Sequence, residues 1–394
     1  MNYRVIIGGN FRNKGAQSML YCTVDILKKK YPLDEVVLVD LFPIKNSREK
    51  DKYAFKIVNA HIRSVVRIFI PFVKLFYPVK PISDPEKKIS FYLNNACAIY
   101  DISGYSIRSN KQSLISTLQI LLLLRHAGKR KIPYFMLPQS FGPINYKGLK
   151  KLFIWPKVKK YFKVPEKVFL REEKSYNEFL KIRRNNVFKS MDIVLLHNTI
   201  KKENIFAQAN FKQYKTDIKF TPNTVLLIPN VRLYNFKSEE FVEDVYSVCI
   251  RTLLSLNKHV CLLMYSVEDK EMCLKLYEKF SSLDISIIID DLDPFDLKNI
   301  FSSIGKVVSA RYHGVVYALK AHKPVLTIGW ANKYNDLMSK FGLNEYLIDL
   351  RFDVDLKSVE KKIKLLNSNS NIFEPIITST LTKEIKRSFF VNET

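Results

Sequence analysis

Five short segments of this chain hold residue types that can grip an anion or move a proton. The most informative is Ser309-Ala310-Arg311-Tyr312-His313-Gly314. An apolar, strand-like run ends at Ser309, a helix-like run starts at once, and a guanidinium and an imidazole stand two residues apart at the junction. With the positive end of the helix dipole beside them, these groups suit a small multivalent anion. A lone histidine is usually structural, and His61, His126, His197, His259 and His322 have no comparable setting. His313 beside an arginine at a strand end reads as functional.

The other four segments are also strand ends. Gly8-Gly9-Asn10-Phe11-Arg12-Asn13-Lys14-Gly15-Ala16-Gln17 is a small-residue turn leading into a helix, where backbone N–H groups can hold an anion or a sugar hydroxyl. It does not match G-x-G-x-x-G, so a dinucleotide fingerprint is unsupported, and a tight turn without a ligand is the alternative. Asp101-Ile102-Ser103-Gly104-Tyr105-Ser106 and Pro138-Gln139-Ser140-Phe141-Gly142-Pro143 break strands with Gly and Pro. Either alone is better read as a structural turn, and their shared position at strand ends is what strengthens them. In Phe169-Leu170-Arg171-Glu172-Glu173-Lys174-Ser175 the arginine closes a strand and can aim its planar fork at a carboxylate or phosphate. An ordinary surface salt bridge is the alternative there.

The elements that would carry these turns alternate from the first residue. Strands are expected at Arg4 to Gly8, Glu35 to Leu41, Ala96 to Ser103, Tyr134 to Pro138 and Lys167 to Arg171, with helices at Gly15 to Lys30, Gln112 to Gly128 and Lys174 to Ile182. A polar stretch from His197 to Asn223 interrupts the pattern. Strands resume at Thr224 to Pro229, His259 to Tyr265, Ile285 to Asp290, Lys306 to Ser309 and Val325 to Ile328, with helices near Ser238 to Asn257, Pro294 to Ser303 and Tyr312 to Ala321. Short apolar runs joined by amphipathic ones give parallel sheets with crossover helices. The expected fold is α/β, with two Rossmann-like lobes: 1–200, a linker at 201–222, and 223–394. A length of 394 residues agrees with two cores. Ligands bind outside the carboxyl ends of such strands.

The 64 Lys and Arg against 38 Asp and Glu give a formal net charge of +26, a field that attracts anions without choosing among nucleic acid, acidic lipid and phosphorylated substrates. No nucleic-acid motif accompanies the charge. The five cysteines form no C-x-x-C pair, which argues against a disulfide framework or a zinc site. The N-terminal residues lack the pattern of a signal peptide and no run reaches the ~20 apolar residues of a membrane span, so a cytoplasmic protein is expected. Two basic, aromatic stretches, Val65 to Lys80 and Asn145 to Lys167, suit the headgroup layer of an anionic membrane and would equally suit a solvated helix face.

In order along the chain, the glycine turn, Asp-Ile-Ser-Gly, Gln-Ser-Phe-Gly-Pro, Arg-Glu-x-x-Ser, and above all Ser-x-Arg-x-His followed by Lys-Pro-Val and Lys333 resemble the polysaccharide pyruvyl transferase family. Its members look like two-lobed glycosyltransferases of the GT-B type. The family pattern Asn-x-Gly-Asp-Glu appears here as Asn13-Lys14-Gly15-Ala16-Gln17, without its two carboxylates, which marks a variant branch.

The resemblance implies transfer of a pyruvyl group from phosphoenolpyruvate to a sugar of a bacterial surface polysaccharide precursor, forming a ketal. The second lobe would be the donor side and the first the acceptor side. Catalysis would fall to His313 and Arg311. Donor binding would fall to Arg171, Arg311, His313 and Ser309, and acceptor binding to Asn10, Asn13, Gly15, Ser103 and Gln139. No cofactor or metal is implied, phosphoenolpyruvate being a co-substrate. Expected partners are that donor, a glycan acceptor with or without a lipid carrier, and the anionic inner face of the cell membrane, with no nucleic acid. A glycosyltransferase using a nucleotide sugar keeps the fold and changes the donor. A non-catalytic basic protein that binds membrane or nucleic acid is the third reading.

Overall fold

The computed structural model describes residues 2–41, 47–59, 84–109, 112–207, 214 and 216–387. The stretch from Val65 to Lys80 lies outside the described residues. Among the described residues the first sheet holds seven parallel strands, β1 (Tyr3–Ile7), β2 (Glu35–Asp40), β3 (Lys56–Asn59), β4 (Ala96–Asp101), β5 (Tyr134–Gln139), β6 (Lys167–Leu170) and β7 (Val187–Lys189), in the order β3-β2-β1-β4-β5-β6-β7. The second holds six, β8 (Thr224–Ile228), β9 (His259–Leu263), β10 (Ile285–Ile288), β11 (Lys306–Ser309), β12 (Val325–Gly329) and β13 (Leu347–Asp349), in the order β10-β9-β8-β11-β12-β13. The central strands are nearly continuous runs of Val, Ile and Leu because helices cover both faces. In β8 every residue is buried.

Each sheet reverses its strand order beside its first strand, between β1 and β4 and between β8 and β11. Those reversals open crevices at the carboxyl ends of the strands. Gly8 leaves β1 with φ 82, and a Cβ there would stand 2.5 Å from the Ser103 backbone after β4, so the two turns at the first crevice touch through a glycine.

The helix α1 (Lys14–Lys30) follows. Asn13 caps it, its side chain accepting from the amides of Gly15 (2.9 Å) and Ala16 (3.4 Å), and Lys28, Lys29 and Lys30 close its last turn against the helix dipole. Nearly every residue from Lys14 to Leu27 is buried. The reason is that α1 lies between the lobes, packed on the short helix Ile193–Leu196 on one side and on the helices Pro294–Ser303 and Tyr312–Lys320 of the second lobe on the other. Ser18 and Tyr317 join their hydroxyls across this seam at 2.8 Å.

The stretch read as a linker begins inside the first lobe. Its helix Lys202–Ile205 is pinned to α1 by the buried Asp25, which accepts from the Lys201 amide (2.9 Å) and the Asn204 amide group (2.7 Å). The last helix, Phe373–Arg387, leans back on Ile193–Leu196. All five cysteines are free. Among the described residues no helix is long and apolar enough to cross a membrane.

Candidate functional site in the cleft between the lobes

The turns after β1, β4, β5 and β6 meet the turn after β11 across the cleft, with His313 at the centre. His313 opens the helix Tyr312–Lys320 and its ring lies over Gly15, where a Cβ would stand 2.0 Å from Nδ1. Glycine at position 15 is therefore what lets the two lobes close on the imidazole. On the other side, His313 Nε2 stands 3.3 Å from Asp192 Oδ2 without a hydrogen bond between them.

Arg171 closes β6 and its side chain is 5% exposed. Its Nη1 donates to Asp192 Oδ2 at 2.6 Å, and its Nη2 donates to the Gly104 carbonyl (2.6 Å) and the Ser140 hydroxyl (3.1 Å). The fork is taken up by a buried carboxylate of the protein's own first lobe. Arg171 Nε has no hydrogen-bond partner among the described residues, and the guanidinium carbon lies 5.3 Å from the centre of the Tyr312 ring.

Asp192 is wholly buried and also caps Ile193–Leu196 through the Val194 amide at 3.0 Å. Burial alone would push its carboxyl up, but His313 and Arg171 together hold it well below the usual carboxylate range. Burial pulls the His313 imidazole below its ordinary value. Asp192 opposes that fall, while Arg171 and Lys333 add to it. A neutral imidazole beside a fixed carboxylate can hand a proton over or take one up.

Lys333 reaches the same space from the helix Asn332–Lys340. Its ammonium sits over the rings of Tyr312 (4.8 Å), Trp330 (5.4 Å) and Tyr334 (5.6 Å), with no hydrogen bond or ion pair among the described residues. Burial and the nearby guanidinium groups, Arg171 foremost, pull it down to about 7. Two further buried donors here, Arg108 Nε and Trp330 Nε1, lack partners among the described residues. The floor of the cleft thus carries unpaired donors, while its buried acids Asp192 and Glu172 are already bonded to Arg171, Ser140 and Ser175.

The side chain of Arg311, expected at the donor and in catalysis, turns into the second lobe. Nε donates to Asp269 Oδ2 (2.8 Å) and Nη2 to Glu268 Oε1 (2.8 Å) and Asp269 Oδ1. Two carboxylates satisfy the fork, so Arg311 frames the turn that carries His313. Ser309, also assigned to the donor, accepts from the Arg311 amide (3.2 Å) and donates to the Arg311 carbonyl (2.9 Å), and belongs to the same frame.

The residues assigned to the acceptor divide. Asn10 folds back on the amides of Arg12 and Asn13, each at 3.1 Å, and Asn13 is the cap of α1, so both shape the glycine turn. Gly15 faces His313. Ser103 is turned to Asp101, its amide donating to that buried carboxylate at 2.9 Å. Gln139 is fully buried with Oε1 accepting from the Ser106 hydroxyl at 2.6 Å, although its Nε2 has no partner among the described residues. Asp192, Lys333 and Arg108 were not assigned a role. For Asp192 a signal existed, an Asp just ahead of Ile-Val-Leu-Leu, which is a helix start. Among the described residues no group of three or more His, Cys, Asp or Glu side chains is placed to hold a metal ion.

A family model described as polysaccharide pyruvyl transferase matches residues 13–332. No curated protein matches the chain in sequence. Among solved structures the chain is similar to S. aureus MnaA in complex with UDP, at 12% identity and a TM-score of 0.57, covering 96% of this chain and 91% of that one. It is also similar to the UDP-GlcNAc 2-epimerase of Methanocaldococcus jannaschii, at 14% identity and a TM-score of 0.56 over 96% and 99% of the two chains. A third is the glycotransferase of kitacinnamycin, at 10% identity and a TM-score of 0.55 over 100% and 97%. At such identities the likeness is one of fold, that of two-lobed GT-B glycosyltransferases and UDP-GlcNAc 2-epimerases.

Proposed function

The chain belongs to the polysaccharide pyruvyl transferase family, and from that premise we propose that it takes phosphoenolpyruvate as donor and forms a pyruvyl ketal on a sugar of a surface polysaccharide precursor. The observation that carries the donor is Lys333, half-buried, walled by three rings and lacking an acid partner among the described residues, beside unpaired N–H groups of Arg171, Arg108 and Trp330. A ligand with a carboxylate and a phosphate close together answers several such donors at once.

In the reaction, a proton adds to the methylene carbon of phosphoenolpyruvate and a sugar hydroxyl attacks the adjacent carbon. Phosphate leaves with its bonding electron pair, and a second hydroxyl of the sugar closes the ketal. One hydroxyl proton replaces the proton given to the methylene and the other leaves with phosphate or solvent. His313 is the acid or base in these transfers, Asp192 orients its ring and steadies the imidazolium, and Arg171 fixes Asp192. Lys333 offsets charge on the departing phosphate.

The same reading takes in the inner face of the membrane. The helix Gly148–Phe153 buries none of its residues, and it exposes Leu149, Leu152 and Phe153 beside Lys150 and Lys151. Exposed apolar side chains ringed by lysine support docking on an anionic bilayer.

Calorimetry with phosphoenolpyruvate, UDP and UDP-GlcNAc tests the donor. Binding of phosphoenolpyruvate that weakens in Lys333→Ala is the expected result, and binding of UDP-GlcNAc alone would overturn the proposal in favour of a nucleotide-sugar transferase.

A further inference from the structure

A second pocket lies beyond the β1–α1 turn from His313, at the ends of β2 and β3. Its first-lobe floor carries Gln17 and Asn59, and its second-lobe wall is the 291–293 turn. The two lobes are joined there by an ion pair of Lys14 with Asp291.

Three features of the lining point to one kind of ligand. Gln17 is 5% exposed, and among the described residues neither its Oε1 nor Asn59 Oδ1 has a hydrogen-bond partner. An unpaired buried oxygen costs ~1–3 kcal/mol, so each asks for a donor such as a hydroxyl or an amide N–H. Next, Phe11 and Tyr53 stack at 4.8 Å to give the pocket a flat apolar wall. Finally, the ionisable lining is three lysines (14, 50, 52) against three aspartates (40, 291, 293), formally neutral and unlike the donor-rich floor around His313. Burial also pushes the Asp293 carboxyl up to about 6.

We infer that this pocket binds an uncharged, hydroxyl-rich sugar ring, a unit of the acceptor glycan next to the one that is modified. The inference rests on the proposed transfer to a sugar, and it assigns the binding of that neighbouring unit to Gln17 and Asn59, with Phe11 and Tyr53 under the ring. A ring held here leaves the next unit on the His313 side of the β1–α1 turn.

The test uses the full chain and saturation-transfer NMR with methyl glycosides of glucose, galactose, N-acetylglucosamine and glucuronic acid. At least one neutral glycoside is expected to bind, with the glucuronide weaker, and Asn59→Ala and Gln17→Leu should each weaken it ~10-fold, the loss of one hydrogen bond. Thermal melting of both variants and of the milder Asn59→Ser checks that they remain folded. No transfer to any neutral glycoside, a preference for the glucuronide, or unchanged signals in folded variants would overturn the site. Phosphoenolpyruvate titrated separately keeps the two ideas apart. Sugar binding without donor binding sinks the donor assignment and leaves this pocket, and the converse sinks the pocket alone.

Discussion

His313 Nε2 stands 3.3 Å from Asp192 Oδ2, and the two residues come from different lobes. A carboxylate of the first lobe thus opposes the burial-driven fall in the pKa of an imidazole of the second, and the packing of the lobes brings the two together.

Removing that carboxylate has a directional consequence. Asp192 is the largest influence opposing the burial-driven fall of the His313 pKa. In Asp192→Asn the imidazolium should form only at lower pH, so the acid-side inflection of the turnover profile moves down. Turnover should fall ~10²- to 10⁴-fold, the range for general acid–base work. Product formation followed by mass spectrometry across pH checks both, and an inflection that stays in place would show that another group titrates.

Gly15 tests positioning without replacing a titratable group. With a Cβ 2.0 Å from His313 Nδ1, Gly15→Ala must push the ring or the lobe aside. Overpacking of this kind costs ~1–3 kcal/mol of stability, and a misplacement near 1 Å costs ~10²-fold in rate. Denaturant melts and turnover measured on the same sample should show a modest loss of the first and a large loss of the second.

Much of this site was legible in the sequence. Arg171 and His313 advertise themselves because an apolar run stops at each, and α/β topology then sends both to one cleft. The partners of the charged groups were not legible, because they are tertiary: Glu268 and Asp269 meet Arg311 from some forty residues away, and Asp192 meets His313 from the other lobe. Asp192 also follows β7, one of three strands the reading did not anticipate. Those three, β3, β7 and β13, are all edge strands of three or four residues. An edge strand lacks the continuous apolar run that burial on both faces imposes on β8, so its pattern falls below what periodicity can separate from a loop.

Arg311 separates structure from chemistry. Its fork lies in a buried pair with Asp269, whose side chain is fully buried. Arg311→Ala strands that carboxylate, and the expected loss is ~3–5 kcal/mol of stability. Arg311→Lys should recover part of it, since the ammonium restores charge without the fork. Urea unfolding reads the loss. Phosphoenolpyruvate affinity in the folded fraction should stay near wild type, and a loss of affinity without a loss of stability would return Arg311 to the donor site.

Asp25 gives the acid limb of the stability curve. His197 Nε2 (2.6 Å), Lys29 Nζ (2.6 Å) and Asn204 surround it. Although burial opposes ionisation, these partners lower its pKa from 3.8 to about 2. A lowered carboxyl contributes stability that is present above the unfolded pKa and lost as pH falls through the folded one. The window is therefore about 4 down to about 2. Asp25→Asn should be less stable near neutrality and should lose less stability than wild type across that window, as thermal melts at stepped pH would record.

The membrane face makes the most exposed claim. Leu149 is 74% exposed, Leu152 65% and Phe153 58%, three apolar side chains clustered on one short helix. Vesicles with a third of their lipid as phosphatidylglycerol should bind the chain at low salt, and binding should weaken as added salt shortens the screening length to ~8 Å near physiological strength. Changing Leu149, Leu152 and Phe153 together to Ser should lower the partition coefficient by roughly tenfold or more per side chain, since each buries ~1.5–3 kcal/mol of apolar surface. Turnover on a soluble acceptor should not change, because the helix lies outside the cleft. Vesicle sedimentation of wild type and triple variant at two salt concentrations decides it. Equal binding of the two would leave the lysines as the sole attraction, and no binding at low salt would remove the membrane face.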